Sequence, residues 1–345
     1  MKRTLLFLIA LLLSASPLPA KDEAKIVNMP AAVSSNAVAA LKGGLELFSI
    51  MGVGPRKTWD DVTNRVYIFN LATGKWREGR AVPGVAGRLG AAAIHAKGKV
   101  FLFGGYVVDK QGELTVSDVN GYVPEDHKWY RGADIPVPVD NSVIGVNHDR
   151  YIYLVGGRSK NGPVNNVQVY DAEKNTWSAG TPFPGTPVFG HAGTLADDVI
   201  VFVDGAKKNS EAGAPYVASD ECWMGKIDHK DPNKIVWSKL PEHHPGTAHF
   251  GIASGADGHK IWFTGGSANP HDFKGIGYDG RPADVSTVTF AFDLHGNRWD
   301  TVNEEESDPR MDCRGVLATP AGPVILGGMS KGQSVTAHAT LLARK

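Results

Sequence analysis

The sequence predicts an all-β chain folded as a six-bladed β-propeller, and three observations carry that prediction. An apolar strand ending in paired glycine recurs along the chain, a tryptophan follows it at a variable distance, and a stretch of nearly constant length then leads to the next pair. A period of ~50 residues of this kind marks one four-stranded blade repeated around an axis. Glycine (41) and proline (21) punctuate the chain throughout, as many short strands and turns require.

The first segment stands apart from this pattern. Lys2 and Arg3 precede an apolar run from Leu5 to Leu13 and a Pro/Ser/Ala stretch ending at Ala20. That is the layout of a cleaved secretory signal peptide, so residues 1–20 are assigned to it and residues 21–345 to one propeller. The run is too short to span a bilayer, which takes ~20 apolar residues in a helix. A secreted or periplasmic protein without membrane insertion is expected. Its 34 basic and 36 acidic side chains after residue 20 give no long-range attraction to nucleic acid. Cys222 and Cys313 fall in blades four and six, which are not neighbours, and are expected to stay unpaired.

Four strong copies of the glycine strand run from Phe101 to Gly105, Tyr153 to Gly157, Trp262 to Gly266 and Val324 to Gly328. Two weaker ones, Phe48 to Gly52 and Val201 to Gly205, complete six. An aromatic strand precedes the tryptophan, as in Val66–Asn70 before Trp76, Val169–Asp171 before Trp177 and Phe290–Asp293 before Trp299; Trp129 and Trp237 close looser copies. From each tryptophan to the next glycine position the distances are 28, 27, 27, 28 and 28 residues, while from glycine to tryptophan they are 24, 25, 21, 33 and 34, counting from Gly52 in blade one. The constant part packs against neighbouring blades, where one inserted residue would turn every side chain to the wrong face. The variable part is the loop between second and third strands, which carries no such constraint.

Blade six ends on a third strand, Thr336 to Leu342, with no tryptophan strand after it. The missing strand is expected at Lys25–Met29, with Val27 in the tryptophan place. Pairing both chain ends in one blade would leave no open edge. The glycine strand, the aromatic strand and the tryptophan together resemble the kelch repeat. The fold expected is therefore a six-bladed kelch-type β-propeller closed by an N-terminal strand in the last blade.

In such a blade the loops after the glycine pairs and the starts of the inner strands share one face. Counting back about 16 residues from each pair gives Asn36, Arg88, Asp140, Val188 and His249, and in blade six Arg314. The loops add Arg56, Tyr106, Arg158, Lys207, Lys208, Glu211 and the segment Phe273–Tyr278. Arginine holds a carboxylate through two parallel hydrogen bonds, so this mouth suits an acidic small molecule. The same arginines can instead pair with Asp140 or with backbone carbonyls and hold blades together. His191 and His249 read as histidines satisfying buried hydrogen bonds. His243, His244 and His249 have metal-like spacing, but a Pro/Gly-rich loop fixes no geometry, and no metal or cofactor is expected.

The segment Gly205-Ala206-Lys207-Lys208, the large blade-five loop Ser267–Val285 and the overall layout resemble the N-acetylneuraminate epimerase (sialic-acid mutarotase) family. The resemblance implies interconversion of sugar-acid anomers, with a carboxylate assisting proton transfer and an arginine orienting the sugar. The chain departs from that pattern: Ala206 stands where the family has its glutamate, and Val217 or Ala218 near its arginine. Glu211 is then the candidate catalytic carboxylate, with Arg56, Arg88, Asp140, Arg158, Lys207, His249 and Arg314 as candidate substrate-binding residues. The alternative is a non-catalytic module binding a carbohydrate or a protein partner. A copper-radical oxidase is disfavoured, because neither cysteine sits in a loop that assembles the required tyrosine and histidine set.

Overall fold

The computed structural model describes residues 26–84, 87–243 and 247–342. The expected signal peptide, Lys25 and His244 lie outside them.

Six antiparallel sheets follow one another along the chain. Blade one consists of Ala37–Leu41, Glu46–Val53, Val62–Asn70 and Lys75–Glu78, and blade two of Ala92–Ala96, Lys99–Phe103, Val119–Val123 and Lys128–Arg131. Blades three, four and five repeat this order from Val143, Ala192 and Ala253. Blade six has three described strands, Leu317–Thr319, Gly322–Leu326 and Ala339–Leu341. Each first strand touches the first strands of both neighbouring blades, blade six against blade one included, so the ring closes.

The strands differ in composition because they differ in crowding. First strands are rich in alanine and glycine, since all converge on one axis: a Cβ on Gly255 would lie 1.8 Å from the Val316 carbonyl oxygen of blade six. Second strands, such as Lys99–Phe103 and Val199–Val203, are covered on both faces and read as continuous apolar runs. The fourth strands carry the tryptophans, and each indole donates to a carbonyl of the segment next to it: Trp129 to Arg80, Trp177 to Ala133, Trp237 to Thr181 and Trp299 to Pro241, at 2.8–3.0 Å.

These contacts correct the closure. Trp76 donates to the Val27 carbonyl at 2.9 Å, so Val27 takes the place of Arg80, Ala133, Thr181 and Pro241, each four residues beyond a tryptophan. The tryptophan-equivalent position is therefore residue 23, outside the described residues, and Ile26–Met29 form no regular strand. The register slipped in blade one. The first position of each glycine pair has φ near +60°, and in blade one Met51 (φ 60°) holds it, not Gly52 (φ 115°). The clasp itself is present: Met29 N–H donates to Ala337 O at 2.7 Å, and Val33 N–H to Thr336 O at 3.1 Å.

Cys222 and Cys313 are both free and buried. Among the described residues no helix is long and apolar enough to cross a membrane.

Candidate functional site

Where the chain enters each inner strand it adopts a left-handed backbone, at Ser35, Gly90, Asn141, Gly190, Gly251 and Asp312, with φ of 53–66°. These six residues bond to one another around the axis. Amide donation runs from Ser35 to Asp312, Asp312 to Gly251, Gly251 to Gly190, Gly190 to Asn141 and Asn141 to Gly90, at 2.8–3.1 Å, and the Ser35 Oγ accepts from Gly90 N–H at 3.1 Å. The ring divides the axis in two. On one side the inner strands line a channel of about 600 Å³ that reaches the opposite face at Gly43, Gly44 and Pro320. On the other lies the loop-bearing mouth, where the free space enclosed by Tyr106, Arg158, His271, Tyr278 and Arg314 is only about 10 Å³, room for one water at most.

Two charged groups fill that mouth. Asp140, fully buried, accepts from Arg158 Nε at 3.2 Å, Thr115 Oγ1 at 2.7 Å and Asn141 Nδ2 at 2.7 Å. Arg158 also donates to Glu113 at 2.7 Å, and its guanidinium lies 5.1 Å from the Tyr106 ring and 5.6 Å from the Phe189 ring. Burial pushes the Asp140 carboxyl up, and Arg158, Thr115 and Asn141 offset part of this. Burial opposes the Arg158 charge as well, but Asp140 and Glu113 outweigh it and hold the guanidinium above its ordinary range.

In the second group Arg314 Nη2 donates to Ser35 Oγ at 3.2 Å and Asp312 Oδ1 at 3.3 Å, and its Nε is buried without a partner. His271 Nε2 lies 3.5 Å from Asp312 Oδ2, while its Nδ1 meets the Asn269 carbonyl at 3.1 Å. Burial would raise the Asp312 carboxyl, yet His271 and Arg314 bring it below its ordinary value. Two guanidiniums thus face three carboxylates, so the mouth is not the cationic opening the sequence implied.

The blade-five segment from Ser267 to Val285 covers this cluster. Tyr278 packs edge-on against Tyr216, ring centroids 5.0 Å apart, and Lys57 of blade one donates to the carbonyls of Lys274 (3.0 Å) and Gln333 (2.9 Å). Ala206 is buried among aromatic rings with Phe189 and Phe250, so the position of the expected carboxylate is occupied by an apolar cluster.

Of the sequence candidates, the fold brings Asp140, Arg158 and Arg314 to the mouth. Arg88 needs correcting. It is fully buried, and its Nη1 donates to the carbonyls of Gly104 and Asp118 and its Nη2 to Asn120 Oδ1, at 2.7–3.1 Å, as a brace within blade two, its Nε having no partner. Its counterpart in blade six is Arg310, not Arg314: Arg310 Nη1 donates to Gly327 O and His338 O. Arg56 is exposed and pairs with Asp60 and Asp61 of its own loop. Glu211 sits exposed on a hairpin tip, its amide capped by Asn209 Oδ1. Lys207 lines a separate pocket between blades four and five, and His249 packs beside the Asp204 carboxylate of that pocket. Sequence reasoning missed Glu113, His271 and Asp312. Asp312 stood two residues before Arg314, and His271 lay inside the blade-five loop Ser267–Val285, two residues before Phe273, whereas Glu113 had no flagged neighbour.

Comparison with known proteins agrees with this architecture. Kelch-like protein 15 of Gallus gallus is 32% identical over 132 residues, covering 38% of this chain and 26% of that protein. The chain thus spans about a quarter of that relative's length. N-acetylneuraminate epimerase 1 of Escherichia coli O6:H1 is 27% identical over 326 residues, covering 90% of this chain and 77% of that one. The solved structure of YjhT superposes with a TM-score of 0.74 at 18% identity, covering 91% of this chain and 95% of that one, which bears on the fold. Residues 38–266 match the KLHDC2/KLHL20/DRC7 Kelch-repeats domain, and the chain belongs to that family.

Proposed function

We propose that this chain is an exported propeller that takes a small sugar acid at its loop-bearing mouth and interconverts its anomers. The observation that carries the reading is the Arg314–Asp312–His271 group. A guanidinium whose side chain is 14% exposed and whose Nε is buried without a partner stands beside an imidazole and a carboxylate that share no well-formed hydrogen bond. Mutarotation of a sugar acid needs such a set. A base removes the anomeric hydroxyl proton, the ring C–O bond breaks, and the ring oxygen takes a proton back. His271 and Asp312 hold and move that proton and Arg314 anchors the sugar carboxylate; with only about 10 Å³ free at the mouth, entry requires the blade-five segment to move aside. The extended likeness to N-acetylneuraminate epimerase 1 supports the same substrate class. Lys2, Arg3 and the apolar run after them support export. Arg158, already committed to Asp140 and Glu113, positions the mouth and is not the anchor.

The test is NMR of freshly dissolved N-acetylneuraminate. Anomer exchange is faster with the native chain, slows with His271→Gln, and is unchanged with Glu211→Gln. A second reading, a binding module without turnover, is favoured by the apolar surroundings of Ala206. It predicts saturable binding with exchange at the rate of buffer alone.

A further inference from the structure

Away from the mouth, a histidine–aspartate cluster joins blades four and five. Asp204 occupies the first position of the blade-four glycine pair with φ of 62°. The conformation suits glycine, and every other blade but the first has glycine there. Its carboxylate Oδ2 lies 2.9 Å from His243 Nε2 and 3.7 Å from His249 Nδ1, and the three ligand atoms lie within 4.8 Å of one another. All three side chains are 1–3% exposed. Asp204 Oδ2 also accepts from the His249 amide at 2.9 Å, whereas Asp204 Oδ1, His243 Nδ1 and His249 Nδ1 are buried without partners. Of these, His249 Nδ1 is also one of the three clustered atoms, and leaving it unpaired 3.7 Å from the carboxylate costs ~1–3 kcal/mol.

We propose that Asp204, His243 and His249 bind a divalent transition metal of the zinc type. Imidazole with carboxylate is the donor set such ions take, and neighbouring ligands of a tetrahedral ion stand roughly 3.3 Å apart. The separations of 2.9 and 3.7 Å bracket that value. The ring of His243 is fixed by stacking on Phe290 at 4.0 Å, interplanar angle 8°, so its nitrogen is already aimed. A pocket of about 260 Å³ lined by Lys207, Asp220 and Glu242 adjoins the cluster and leaves the fourth coordination position a route to solvent. The ion staples the blade-four glycine turn to the segment entering blade five.

The test uses the full chain, stripped with chelator, equilibrated with zinc sulfate, dialysed, and measured by elemental analysis and thermal unfolding. One zinc per chain is retained and Tm rises. Asp204→Gly restores the residue natural to that backbone and deletes one ligand, and His243→Phe keeps the stacking on Phe290 and deletes another. Each lowers zinc affinity by more than the roughly 10- to 100-fold lost when an outer-shell partner is removed, and abolishes the zinc-dependent rise in Tm. Absence of retained zinc in the native chain overturns the proposal. So does affinity unchanged in either folded variant.

Discussion

Arg310 repeats in blade six the bracing that Arg88 performs in blade two: each guanidinium Nη1 spans the carbonyl of the first glycine in its own pair and a carbonyl at the start of the third strand. Both side chains are 1% exposed, and burial pulls the Arg88 guanidinium down to about 10, which still leaves it charged at neutral pH. Replacing Arg88 with Met leaves the buried Gly104 carbonyl and Asn120 Oδ1 without the guanidinium, while Asp118 O keeps the Gly104 amide at 2.8 Å. A loss of about 3 kcal/mol in urea unfolding is expected, with sugar-acid binding unchanged per folded molecule. A ligand-binding arginine would show the reverse: lost binding at little cost in stability.

Asp140 and Arg158 form a buried pair at the mouth, with side chains 0% and 15% exposed. Removing one partner of such a pair typically costs about 3–5 kcal/mol, because the other charge is stranded. Arg158 keeps Glu113 at 2.7 Å, so Asp140→Ala is expected to lose the lower end of that range, about 3 kcal/mol. The double variant Asp140→Ala/Arg158→Met should lose less than the two single losses added together. Strict additivity in urea melts would show that the two groups do not depend on each other.

The blade count, the glycine strands and the face that carries the long loops were legible because packing between blades fixes their spacing. What failed was register and side-chain destination. Arg310 and Arg314 lie only four residues apart, and their partners separate brace from mouth residue: Arg310 meets backbone carbonyls, Arg314 the Ser35 hydroxyl and the Asp312 carboxylate. Gly52 looked like the first of a pair because methionine at φ 60° is unusual, so Met51 went unrecognised and Val27 was shifted with it. His271 reaches Asp312 across 41 residues through an irregular loop whose path no periodicity encodes. Asp204 hid in the same way, as an apparent defect in a glycine pair.

The N-terminal clasp should be worth a large share of propeller stability. Val33 O accepts the Gly328 amide at 2.9 Å, and Met29 and Val33 pack in one core with Leu317, Val324 and Leu326. Fully burying such side chains contributes about 1.5–3 kcal/mol each. Deleting residues 26–33 is therefore expected to lower Tm by on the order of 10 °C. A melting curve that does not move would mean the ring is held shut by the inner strands alone.

His191 makes stability depend on pH in a definite direction. Its Nε2 lies 3.0 Å from the Val155 carbonyl and so carries the proton, and burial, opposed only in part by that bond, takes its pKa from 6.5 to about 4. The unfolded chain therefore binds more protons than the folded one between these values, and stability rises with pH across the window. The contribution is complete above pH 6.5, declines as pH falls toward 4, and amounts to about 3 kcal/mol. The raised carboxyl of Asp140 acts in the opposite sense, so the comparison must be with His191→Gln, which can still donate to Val155 but does not titrate. Urea midpoints measured from pH 7 to pH 4 should fall more steeply for the native chain than for His191→Gln. Parallel curves would mean that His191 charges inside the fold without penalty.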